Sequence, residues 1–139
     1  MNKTYLKLSL DLDFVLIAIT SSLKDYTLCH KINTSLNLNF EKAEDHEVYF
    51  NVGKPALAFS KYHYFTEQNE TEYYLVNNKN AEGFLVPEMN KADFFMIIYQ
   101  YIDDEDLGHI LSGLNKLPDI QVAAQVSPAK LKSSQNLIM

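Results

Sequence analysis

The chain has 139 residues, 47% of them apolar and 22% charged, and carries a net charge of −6. That length suits one domain that buries about two-thirds of the surface its unfolded form exposes, and the composition excludes wholesale disorder. All 12 basic residues are lysines, so the planar arginine fork that grips phosphate and guanine is missing and nucleic acid is a disfavoured partner.

Residues Thr4 to Leu12 alternate, with Leu6, Leu8, Leu10 and Leu12 on one side and Tyr5, Lys7, Ser9 and Asp11 on the other. The period of two predicts a half-buried strand. Phe14 to Thr20 is apolar on both faces and predicts a second, more central strand, with a helix start as the alternative at this length. The run Phe14 to Ile19 is too short for a signal peptide, and Asp11 and Asp13 interrupt what precedes it. No segment is long enough to span a membrane. Ser21 or Ser22 is expected to cap a helix whose buried stripe is Leu28, Ile32 and Leu36, with Cys29 alongside and Asn37 as the stop. Cys29 is the single cysteine, which rules out an internal disulfide and a multi-cysteine zinc site and fits a reducing, cytoplasmic setting.

A short strand is expected around Val48 to Asn51, followed by Gly53 and Pro55 as punctuation. Ala58 to Thr66, Glu72 to Asn77 and Gly83 to Val86 then read as a meander of antiparallel neighbours. Ala92 to Ile102, the most apolar stretch, predicts a central strand covered on both faces. The acidic run Asp103 to Asp106 opens a helix bearing Leu107, Ile110, Leu111 and Leu114, where it complements the helix dipole. Beyond Pro118, Ile120, Val122, Ala124 and Val126 alternate as a last strand. Together these elements predict a βαβ unit with parallel strands and a right-handed crossover. The fold expected is a single α+β domain over residues 1–139, a two-layer sandwich. It comprises a mainly antiparallel sheet of about six or seven strands, two helices on one face, that C-terminal βαβ unit and a short tail from residue 128. The 12 asparagines and the missing arginine are read as the imprint of AT-rich codons.

Few residues suggest chemistry. Asp104 and Asp106 match the first ligand spacings of a calcium loop, but His109 stands where its glycine belongs and Asn115 where its glutamate belongs, which favours capping. Asp11 and Asp13 project from one strand face and are expected to be solvated rather than to hold a cation. His30, His46, His63 and His109 fall on four different elements without metal-ligand spacing. Cys29 reads as a small core residue. Tyr62, His63, Tyr64 and Phe65, opposite Tyr73 and Tyr74, form an aromatic sheet segment. Such rings pack across strands, stack on bases or present a protein-binding face. With Lys130 and Lys132, Tyr62 and Tyr64 make the RNA-binding alternative. No nucleotide-binding glycine pattern is present, and no cofactor, metal or catalytic group is expected.

The segment Val86-Pro87-Glu88-Met89-Asn90-Lys91-Ala92-Asp93-Phe94 resembles the signature of the IPExxVDY family of small proteins typical of Bacteroidetes. The opening Leu10 to Phe14, the stretch Ser22 to Tyr26 with Leu28-Cys29, and the ending Leu131 to Ile138 also resemble it, so the likeness covers nearly the whole chain. Three residues separate Glu88 from Ala92 where the family name implies two, and Val, Ala and Phe replace Ile, Val and Tyr. The resemblance implies a cytoplasmic protein of unknown function and supplies no active residues. The leading expectation is a non-catalytic protein-binding or adaptor module. The alternatives are a small enzyme or metabolite sensor using Glu88 and Asp93, and an RNA-binding accessory protein.

Overall fold

The computed structural model describes residues 13–139. In chain order the first elements are β1 (Val15–Ser21), α1 (Asp25–Leu36), β2 (Glu41–Lys42), β3 (His46–Val48), β4 (Leu57–Phe59), β5 (Lys61–Thr66) and β6 (Thr71–Asn77). β7 (Lys79–Asn80), β8 (Gly83–Phe84), β9 (Phe94–Tyr99), α2 (Asp104–Lys116) and β10 (Ile120–Val126) follow. The expected strand over Thr4 to Leu12 lies outside the described residues.

Among the described residues six strands form one antiparallel sheet in the order β10-β1-β9-β6-β5-β2. The two apolar runs read as central are central: β9 is flanked by β1 and β6, and β1 by β10 and β9. Their period of two splits each into two buried sets. Ile17, Ile19, Phe94, Met96 and Ile98 face α1 and α2, where Leu28, Ile32 and Leu114 close the first core. Leu16, Ala18, Phe95 and Ile97 face the other way. Each fully buried Leu or Ile contributes about 1.5–3 kcal/mol relative to exposure. Both helices cover one face, as the α+β reading required.

The opposite face is also roofed. Phe59, Leu85, Val86 and Leu137 pack against it, contributed by the β3–β4 hairpin, the β7–β8 hairpin and the C-terminal 3-10 turn Ser134–Leu137. This roof redraws the expected meander. Ala58 to Thr66 is two strands broken at Ser60, because Phe59 turns into the roof while Lys61 begins pairing with Val76. Gly83–Phe84 pairs only with Lys79–Asn80, and β6 takes β9 as its neighbour. The strand expected at Val48 to Asn51 starts two residues and ends three residues earlier, at His46–Val48, where it pairs with β4.

Strand β9 and strand β10 both run antiparallel to β1 and are therefore parallel to each other, with β1 between them. The βαβ unit is thus a split one. The simple alternation read in β10 fails at one residue. Ser21 pairs with Ile120 and Thr20 with Val122, so Gln121 is bulged. Ile120 and Ala123 consequently reach the helix-side core, and Val122 and Ala124 are exposed.

Helix ends follow local chemistry. Asn37 closes α1 in the left-handed region at φ 56°, as expected. Neither Ser21 nor Ser22 caps its start: Lys24 holds the N-cap position, and the Ser21 hydroxyl accepts from Leu23 N–H and donates to the Asp119 carbonyl. Asp103 caps α2, its Oδ1 accepting from Asp106 N–H at 2.7 Å.

Candidate functional site

The signature-like segment is tied into the fold through Asn78, a residue the sequence did not single out. Asn78 is wholly buried between β6 and β7. Its Nδ2 donates to the carbonyls of Met89 and Ala92, at 2.9 and 2.8 Å, and its Oδ1 accepts from Val86 N–H at 2.8 Å. Its backbone N–H donates to Asp93 and its carbonyl accepts from Leu85. One side chain therefore shapes the whole bend from Val86 to Asp93, including the 3-10 turn Pro87–Met89.

The two acids proposed as a site do separate jobs on that bend. Glu88 accepts from the N–H and the hydroxyl of Ser133, at 2.7 and 2.8 Å, and so fastens the C-terminal segment. Partial burial pushes its pKa up, but the Ser133 and neighbouring backbone N–H bonds outweigh that and leave it below the usual value. Asp93 Oδ2 accepts from Ser21 N–H at 2.8 Å, and its Oδ1 lies 2.7 Å from Lys79 Nζ. Asp93 also borders a hollow of about 320 Å³ with Ser22, Lys24, Asp25 and Lys79; Glu88 does not line it. The hollow carries two lysines and two aspartates, already matched in charge.

The aromatic segment is divided by the pleat. Tyr62 is buried, and Tyr64 is half-buried with its ring stacked on Tyr73 at 5.4 Å and tilted against Phe40 at 6.1 Å. These rings serve the helix-side core rather than a solvent-facing stacking platform. Burial, with Asp25 nearby, pushes the Tyr62 hydroxyl up to about 12. On the other face His63 and Tyr74 pack at 4.9 Å, and His63 Nε2 meets Glu72 Oε2 at 3.0 Å.

No family model matches the chain, and no curated protein is significantly similar to it.

Of the remaining chemical candidates, Cys29 and His46 are committed to structure, whereas His30 and His109 are exposed. Cys29 is buried, and burial reinforced by the charge of Asp25 pushes its thiol up to about 11, away from the reactive thiolate. His46 Nε2 donates to the Asn136 carbonyl at 2.6 Å. Asp13 is exposed, while its expected partner Asp11 lies outside the described residues. Among the described residues no three His, Cys, Asp or Glu side chains gather as a metal site, and no helix is long and apolar enough to cross a membrane.

Two exposed surfaces stand out instead. The first is the tip joining β3 to β4. Tyr49 is 74% exposed and Val52 fully so, and Gly53 turns the chain at φ 79°. Phe50 anchors the tip edge-on to the buried Phe59 at 6.5 Å. Beside it a hollow of about 310 Å³ is lined by Phe50, Leu57, Phe84 and Pro87. The second surface is the sheet end bearing Phe65 and Tyr101, 47% and 65% exposed. Sequence reading missed the tip because Tyr49, Phe50 and Val52 follow an apolar pattern that a short strand explains equally well.

Proposed function

We propose that this protein is a non-catalytic protein-binding module of the cytoplasm, and that the β3–β4 tip is the part that engages its partner. The observation that carries this reading is the clustering of Tyr49, Phe50 and Val52 within four consecutive exposed residues of the loop that joins β3 to β4. Exposing apolar side chains together is unfavourable in water unless something covers them, and aromatic residues supply large contact area at low entropic cost. Val52 projects fully, so the partner offers the recess and the tip inserts into it. The commitment of Glu88, Asp93 and Cys29 to internal contacts supports a binding role over a chemical one. The lone, buried thiol also suits a reducing compartment.

The test compares native-lysate capture by the wild-type chain and by the double variant Y49S/V52D. Both positions lie outside the core, so the variant keeps the wild-type unfolding midpoint. At least one protein enriched by wild type is expected to fall about tenfold with the variant. Identical capture by the two chains would overturn the proposal.

A further inference from the structure

The net charge is not spread evenly over the chain. Residues 63–72 and 99–106 hold Glu67, Glu70, Glu72 and the run Asp103-Asp104-Glu105-Asp106, seven carboxylates with no lysine. Taking those seven from the 18 acids leaves 11 against 12 lysines, so the rest of the chain is nearly neutral. The fold brings the two segments to one end of the sheet. Glu72 pairs with both Phe65 and Tyr99, and the Thr71 hydroxyl donates to the Tyr101 carbonyl.

At that end Phe65 and Tyr101 stand exposed. Phe65, Glu70, Glu72 and Gln100 line a hollow of about 320 Å³. Gln100 is held there at φ 72°. An aromatic ring beside carboxylates attracts alkylammonium and guanidinium groups, through the ring quadrupole and through charge-assisted hydrogen bonds. It repels phosphates.

We infer that this sheet end docks a basic segment of another protein, with lysine or arginine side chains seated between the Phe65 ring and the Glu70 and Glu72 carboxylates. The acidic field raises the encounter rate, and the two aromatics make the contact more than diffuse attraction. The surface is separate from the β3–β4 tip, and either can fail without the other.

Fluorescence anisotropy with a labelled decapeptide of alternating lysine and arginine tests it, against a neutral glycine–serine decapeptide of equal length. The basic peptide is expected to bind, and to weaken at least fivefold on raising salt from about 0.05 to 0.5 M, where the screening length falls severalfold. F65S/Y101S is expected to weaken binding at least fivefold, E70Q/E72Q likewise, and Y49S/V52D not at all. Two outcomes would sink the inference: equal binding of basic and neutral peptides, or a folded F65S/Y101S protein that binds as wild type does, since that leaves diffuse charge alone.

Discussion

Asparagine side chains hold much of this fold together, because an amide offers the same donor and acceptor as a peptide group. Asn33 bonds both the N–H and the carbonyl of Phe40 after α1, Asn136 donates to Leu85, and Asn78 organises the bend from Val86 to Asp93. The abundance of asparagine that reads as codon bias thus has a structural use at these positions. Replacing Asn78 by Ala strands the Val86 N–H and the Ala92 carbonyl away from water, each at about 1–3 kcal/mol, while the Met89 carbonyl keeps its bond from Ala92 N–H. We expect N78A to lose about 3 kcal/mol or more in urea unfolding, with the β7–β8 hairpin and Pro87–Met89 turn losing amide protection first. Acid sensitivity also belongs at this scale. Burial lowers the His46 pKa, the bond to the Asn136 carbonyl opposes that, and Lys61 lowers it further. A group whose folded pKa is depressed keeps its full stabilising contribution above the unfolded value, near 6.5, and loses it as pH falls through the folded value. Glu88 has the same sign at lower pH. Unfolding free energy measured against pH is therefore expected to drop below about pH 6.5, and H46Q is expected to flatten that first decline.

Among the elements, those fixed by strong periodicity were legible in the sequence, and those fixed by distant contacts were not. The strands at Val15–Ser21 and Phe94–Tyr99 are apolar on both faces, as a doubly covered sheet requires, and α2 announces itself through Asp103 and its stripe of leucines. The break at Ser60 and the departure of Gly83–Phe84 from the main sheet depend on the roof, whose pieces are scattered along the chain. The bulge at Gln121 is likewise invisible to a period-two count. The same limit applied to the sites. Glu88 and Asp93 stood out as polar residues in an unusual motif, yet their partners Ser133, Ser21 and Lys79 lie far along the chain. One element carries its own protection. Among the described residues strand β10 is a sheet edge, and Asn115 of α2 bonds both the N–H and the carbonyl of Ala123, at 2.9 Å each, where a further strand would otherwise pair. N115A is expected to cost about 1–3 kcal/mol and to promote self-association, read by denaturation and by light scattering against concentration. A monodisperse N115A protein of wild-type stability would contradict this account.

In the whole molecule, one sheet separates two cores of different construction. The first is closed by two regular helices, and the second by short hairpins and the C-terminal turn. Leu137 is the last fully buried side chain of that second core, and the Tyr99 hydroxyl donates to its carbonyl at 3.2 Å. L137A is expected to lose about 2–5 kcal/mol by calorimetry or urea titration, the range for a buried leucine truncation. The order of the sheet also governs how the chain is made. β1 is the earliest described strand, yet its two neighbours are β9 and β10; Ser21 is 72 residues from its bonding partner Asp93 and 98 from Asp119. During synthesis Val15–Ser21 therefore emerges long before anything that can pair with it, and most of the chain must follow before the sheet can close. Such non-local pairing slows folding and leaves an apolar strand exposed in the interval.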